Sequence, residues 1–443
     1  MQSLLNRLSV SLESSEMPEN VEINPVTTNT VTELTEVLDD LVDETVEVKT
    51  ASDVVTTLGD AAVSMEGYLN VLNTFKADGG MTPQTAAMYN HGLSDRLSGI
   101  PLARKENLFV SLEAFGGSGE KALAHEASTK GLLQKLRDLW TAIYNAVSAF
   151  LSKVKTWAKG LLSVGDALIK SGKSLTQAAG LVKTESKETF DTGRRGKTIA
   201  ISGHIPSDPA TVLTVLIGAL EEALVGYPTQ YSKLIAPVSR LLGNGDTFTS
   251  EELNKAVEEA VGVAKGFESS EHELPGGVKY VITANPNVSS ASDLHKALTS
   301  SLVSETAEAP PAIQLWSKND LIKVGDGVER LGGVIKRYES KFESAVTAQE
   351  KFLKEGSKLV SGNKEFTKDE ASAAKQILSE FSKLAHGAIG ASPEVVAHAG
   401  RVSKALVAVG LAMVSKHTGS TAAIPSQTQS QTGTQLPATP QLA

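Results

Sequence analysis

Residues 131–162, GLLQKLRDLWTAIYNAVSAFLSKVKTWAKGLL, carry the reading on which the fold turns. Leu132, Leu136, Trp140, Ile143, Val147, Phe150, Val154, Trp157 and Leu161 follow one another at steps of three and four. That spacing averages close to the helical period, so these side chains share one arc of a helix. Arg137, Lys155 and Lys159 fall on the opposite side, with Lys135 and Lys153 at its edge. A basic amphipathic helix of this kind packs its apolar face into a core, lies on a membrane surface, or presents its cations to nucleic acid, and the residues alone leave all three open.

Charge is distributed unevenly around this helix. Of the 443 residues, 51 are Asp or Glu and 42 are Lys or Arg, for a net charge of −9. Residues 1–113 hold 18 acids against 6 bases, a net of −12, which leaves 33 acids and 36 bases, a net of +3, for residues 114–443. Within 121–183, ten bases including Lys130 stand against Glu126, Asp138 and Asp166, a net of +7. An acidic block therefore adjoins a basic one, and the stretch between them, SLEAFGGSGE at 111–120, is rich in glycine and serine.

Upstream, residues 17–32 are rich in Pro, Asn and Thr and read as a loop or arm. TELTEVLDDLVDETVE then predicts one acidic helix, and SDVVTTLGDAAVSMEGYLNVLNTFKA a second that stops at Gly79-Gly80. MTPQTAAMYNHGLSDRL restarts with Thr82 as a cap and Pro83 in the first turn. Downstream, GKTIAISGHI, GGVKYVITAN and AIQLW have strand composition, with helices expected at 208–242, 250–267 and 290–306. From residue 318, Leu321, Val324, Val328, Leu331, Ile335, Tyr338 and Phe342 form a short heptad seam. Helices capped by Thr367 and Ser392 follow, and the last 26 residues contain neither a charge nor an aromatic ring.

Little points to catalysis. Cysteine is absent, which removes disulfides, thiolate metal sites and thiol nucleophiles. SGKS at 171–174 and RRGKT at 194–198 lack the earlier glycine of a phosphate-binding loop, since Ala167 and Asp191 occupy that position. The eight histidines show no metal-ligand spacing, and His386 and His398 are expected to face solvent or fill a helix seam. The N-terminus lacks the pattern of a secretory signal, and no window of about 18–20 residues reads as apolar enough to span a bilayer. No cofactor, metal or small-molecule substrate is expected.

At VSLEAFGG, residues 110–117, the chain resembles the internal head, or inner-body, proteins of large tailed bacteriophages. In that group a virion protein is made with an N-terminal propeptide, and a prohead protease cuts after Glu in a small-residue, any-residue, Glu context. Ser111, Leu112 and Glu113 match this context, with Ala114 as the new N-terminus. The same triplet recurs elsewhere, at Glu13 and Glu66 among others, but Glu113 stands at the charge boundary beside a flexible exit. The resemblance implies synthesis in the host bacterial cytoplasm and a place in the capsid interior. The partners it implies are the prohead protease and other capsid or inner-body proteins.

Packaged DNA would be a non-specific partner, through Lys130, Lys135, Arg137, Lys153, Lys155 and Lys159. A host-targeted effector ejected with the DNA and a membrane-active protein acting through the basic helix are the alternatives.

The expected fold class is α+β, mostly α-helical. It comprises an acidic helical propeptide at 1–113, a Gly-rich joint with the basic amphipathic segment at 114–190, and a small-sheet α+β domain at 191–317. A helical, heptad-like domain at 318–417 and a disordered tail at 418–443 complete it.

Overall fold

The computed structural model describes residues 25–77, 81–97, 125–243, 249–289, 291–305, 312–361 and 389–419, with Leu384 and Gly387. The expected Thr367 helix, His386, most of the C-terminal tail and the Ser111–Ala114 junction lie outside the described residues.

Three long helices form the frame: α1 (Pro25–Ala77), α3 (His125–Gly180) and, near the C-terminal end, α8 (Lys318–Ser361), with the short α2 (Pro83–Leu97) beside α1. In α3 the buried positions Ile143, Val147, Phe150, Val154, Trp157, Leu161, Val164, Leu168, Ser171 and Leu175 alternate by four and three without a break. Such a seven-residue repeat keeps one stripe of a long helix against its neighbours. The heptad positions of α8 read from the sequence, Leu321 through Phe342, are all buried as well. Trp157 and Phe342 meet edge to face, with ring centroids 5.3 Å apart.

The basic helix is longer than expected because its glycines are needed where α3 meets α8. Gly165 and Gly172 lie seven residues apart on α3, and Gly325 and Gly332 lie seven apart on α8, with the two helices antiparallel. A Cβ on Gly172 would lie 2.6 Å from the Glu329 backbone nitrogen, and one on Gly325 would lie 2.8 Å from the Gly172 carbonyl oxygen. At the other level, a Cβ on Gly165 would come 2.9 Å from the Gly332 carbonyl, and one on Gly332 would come 2.5 Å from that of Gly165. Each glycine costs roughly 1 kcal/mol of helix propensity, and the close backbone contact offsets it. Ion pairs line the edges of the seam, Asp166–Lys336 at 2.5 Å, Lys173–Glu329 at 3.6 Å and Lys155 with Glu350.

The acidic segment also differs from expectation. Its two expected helices are one, α1, and the Thr-rich arm from Pro25 onward belongs to it. Leu34, Leu38, Leu41, Thr45, Val48, Ser52 and Val55 are buried at alternating four- and three-residue steps, so the repeat runs straight through the expected break. Thr45 Oγ1 donates to the Leu41 carbonyl at 2.8 Å, which satisfies a buried hydroxyl within the helix. In α2, Thr82 caps as expected, accepting from Thr85 N at 3.3 Å.

The central region is α+β. After β1 (Thr189–Phe190) come α4 (Gly193–Ile199), α5 (Ala210–Glu221), a π-helical turn at Glu222–Gly226, α6 (Tyr227–Gly243) and α7 (Ser250–Ala264). β2 (Ser270–Leu274), β3 (Val278–Ala284) and β4 (Leu298–Ser304) form an antiparallel meander, while β5 (Ile313–Gln314) pairs with β1. The expected strand GKTIAISGHI is instead α4 followed by a tight turn, with Asp191 Oδ1 accepting the Gly193 N–H at 2.8 Å. The expected helix at 290–306 is a short 3-10 turn, Ala291–Lys296, and then β4. Its apolar residues fit a helical spacing, but pairing along the whole of β3 satisfies its backbone and overrides that local pattern.

The last helix, α9 (Ser392–Thr418), runs through the middle of the structure and touches α1, α3, α4, α5 and α8. Ser392 does not cap it. The N-cap is Ala391, and Ser392 Oγ donates to the Ala223 carbonyl at 2.6 Å from within the core. By length and composition α9 and the stretch Ala210–Leu241 could cross a membrane, which corrects the reading that no window qualifies, but α9 is almost wholly enclosed by protein. One apolar cluster includes residues of α1, α3, the central α+β region, α8 and α9.

The seam is testable. Gly172→Leu and Gly325→Leu should each lower stability by about 1–3 kcal/mol through overpacking. Gly262→Ala, in open space on α7, should be neutral or slightly stabilising. Thermal and denaturant unfolding of the full chain would measure all three.

Candidate functional site

The sequence pairs an acidic block with a basic one, and the fold places them face to face. α1 packs along α3. Lys153 Nζ of α3 donates to Glu47 of α1 at 2.9 Å, and Lys170 pairs with Glu33. Further along α1, Lys49 reaches Glu394 of α9 at 3.4 Å. All these groups are at least partly exposed, so each pair adds at most about 1 kcal/mol, and the larger hold on α1 is its buried heptad stripe. What the carboxylates change is the field: they cancel cations on α3 that would otherwise face solvent.

Glu44 breaks this pattern. It sits against α3 where Gly160 leaves room, and a Cβ on Gly160 would lie 2.7 Å from Glu44 Oε2. That oxygen is buried with no hydrogen-bond partner. Burial first, then Asp40 and Glu47, raise the Glu44 carboxyl above the usual carboxylate range.

Of the six cations read as contact residues, Lys153 and Lys155 are engaged by carboxylates and Lys159 is exposed. Lys130, Lys135 and Arg137 belong to the first turns of α3, and their side chains lie outside the described residues. The described part of the apolar arc, Ile143 to Leu161, is inside the core. The amphipathic face of α3 is thus a packing surface in the folded chain.

His398, expected to face solvent or fill a helix seam, is buried in one, and the bases Arg195, Arg401 and Lys404 were not singled out from the sequence. His398, Arg401 and Lys404 recur every three residues in α9, and Arg195 comes from α4, which packs on that helix. Their signal was a set of bases inside an otherwise apolar helix, easily taken for a solvated edge. His398 is buried, with Nε2 3.0 Å from the Pro275 carbonyl oxygen. Burial and the nearby Arg401 pull its pKa down to about 4. Among the described residues no group of His, Cys, Asp and Glu is arranged to hold a metal ion.

The Glu44 carboxyl gives the interface a pH dependence of definite sign. Its folded pKa lies above the unfolded value of 4.5, so its contribution to docking is fullest below that value and is lost as pH rises through the folded pKa. Glu44→Gln should therefore raise the stability of the full chain at neutral pH and flatten this part of the pH profile. Thermal unfolding between pH 4 and pH 8, wild type against variant, would show it.

A family model described as phiKZ-like phage internal head proteins matches residues 25–412, from the first turn of α1 almost to the end of α9. No curated protein and no solved structure matches the chain.

Proposed function

The chain belongs to the phiKZ-like phage internal head proteins, and from that premise we propose that it is a structural protein of the capsid interior, made as a precursor whose acidic helix masks a basic one. The observation that carries this reading is the docking of α1 on α3, with Glu33 on Lys170 and Glu47 on Lys153. The prohead protease would cut between Glu113 and Ala114, within the joint that separates the two charge blocks. Cutting there takes away a net of −12 and leaves a chain of net +3.

The cut by itself does not free α1, because its buried stripe belongs to the common apolar cluster. Release would follow further trimming or displacement during head maturation. It would uncover two things together: an apolar groove along α3, suited to neighbouring capsid or inner-body proteins, and the ammonium groups of Lys153 and Lys170, suited to DNA phosphates. Lys155 and Lys173 would remain paired with α8. Contact with DNA would be to the backbone and without sequence preference, since the chain shows no base-reading motif.

Two measurements test the reading. Mass spectrometry of protein from mature particles should find Ala114 as the N-terminus, and Glu113→Gln should block processing there. Stoichiometric recovery of peptides linking residues 20–113 to the body would overturn it. Duplex DNA binding should be stronger for the processed protein than for the full chain. Two newly freed lysines should steepen its log–log salt dependence by about 2, at roughly 0.9 per phosphate contact. Equal binding by both forms would remove the masking role while leaving the cleavage intact.

A further inference from the structure

Helix α8 pairs most of the charges along its edges and leaves one stripe of cations open. Lys323, Glu329, Lys336 and Glu350 all have ion-pair partners elsewhere in the fold. Arg330, Arg337 and Lys341 follow one another at steps of seven and four residues, and all three are exposed. At 3.6 residues per turn these steps keep them within about 40° of one another around the helix, and at about 1.5 Å per residue they extend over roughly 16 Å of its axis. Among the described residues neither arginine has a hydrogen-bond or ion-pair partner, and Lys341 Nζ rests 5.7 Å from the ring centroid of Tyr338.

α3 adds a fourth cation on this side. Lys159, Asp166 and Lys173 recur every seven residues, and Asp166 and Lys173 reach across to Lys336 and Glu329 of α8. Lys159 therefore lies on the edge of α3 that borders α8. With Gly165 packed on Gly332 and the helices antiparallel, Lys159, six residues before the first glycine, comes level with Tyr338, six residues after the second. Lys159 is exposed and, among the described residues, has no carboxylate partner.

These side chains do not pack the core, and like charges on one stripe repel one another, so the fold itself gains nothing from them. The carboxylate on that face, Asp326, lies about one turn before Arg330 and accepts from Thr176 Oγ1 at 3.1 Å. Glu221 of α5 meets the Tyr338 hydroxyl. Among the described residues no large apolar side chain is exposed on α8, so a membrane surface would find nothing there to bury. A stripe of roughly 16 Å is too long for one small anion and suits a polyanion, and guanidinium forks take phosphate oxygens in bidentate fashion.

We propose that Arg330, Arg337 and Lys341 of α8, with Lys159 of α3, form a docking surface for the phosphate backbone of double-stranded DNA that is already open in the uncut chain. The proposal rests on the reading of DNA as a partner, but it uses other residues and needs no release of α1. The carboxylates of α1 engage Lys153 and Lys170 and leave these four cations untouched. The chain therefore holds DNA before maturation, and uncovering Lys153 and Lys170 adds to a surface already in place. Contact is to the backbone, so it carries no sequence preference.

The test uses the full chain, titrated onto a short labelled duplex over a series of salt concentrations and read by fluorescence anisotropy. Four phosphate contacts predict a log–log salt slope of about −3.6, at roughly −0.9 per contact. Arg330→Gln together with Arg337→Gln should reduce it to about −1.8, while replacement of both by lysine should keep it near the wild-type value. Both arginines are exposed, so neither double variant should change Tm. Lys255→Gln, on α7, should leave the slope as it is. The processed protein should lose the same amount of slope on the double glutamine change, so this result is read separately from the difference between the two forms that tests the masking of α3. No binding by the full chain at low salt, or a slope that the double glutamine variant does not alter, overturns the proposal. Self-association of the full chain that this variant abolishes, with DNA left unbound, assigns the face to the acidic surface of a second copy and overturns it as well.

Discussion

Everything else in this molecule is arranged around the close antiparallel contact of α3 and α8. Gly165 and Gly172 on one helix face Gly332 and Gly325 on the other, and every one of these positions lacks the space for a methyl group. Two backbones in such contact allow no slip along the axis, because a shift of even one residue would put a side chain where a carbonyl stands. The register then fixes the ion pairs at the edges, Asp166 with Lys336 and Lys173 with Glu329. It also fixes the edge-to-face contact of Trp157 with Phe342 farther along. On this frame α9 is enclosed, and α1 closes one side.

Two forces of different size hold α1 in place. Burial of Leu34, Leu38, Leu41, Val48 and Val55 is worth about 1.5–3 kcal/mol for each large side chain, while each exposed ion pair is worth at most about 1 kcal/mol. The apolar stripe therefore supplies the affinity, and the carboxylates decide what the rest of the molecule presents to its surroundings. This separation lets one helix be a member of the core and a counter-charge at once. Glu44, raised in pKa and unpartnered at Gly160, is the point where the two demands conflict.

The sequence by itself determined the mostly helical α+β class, the acid–base boundary near residue 113, the heptad on α8 and the arc on α3. Each of these is a property of consecutive residues: a repeat of three and four or a run of one charge survives whatever the chain packs against. The resemblance at VSLEAFGG likewise pointed to the family without any structure. Tertiary structure alone decided which helices meet. Gly165 and Gly172 are poor helix formers taken alone, and only their partners at Gly332 and Gly325 show why α3 carries them. Residues 298–304 carry a helical spacing, yet they form β4 because β3 lies alongside to take their hydrogen bonds. Arg195 and Lys404 are more than two hundred residues apart, and no local pattern could have announced that they come within electrostatic reach of each other. Local propensities differ by about 1 kcal/mol or less per residue, whereas a misplaced methyl in a packed seam or an unpaired buried charge costs more, so distant contacts overrule the local ones wherever the two disagree.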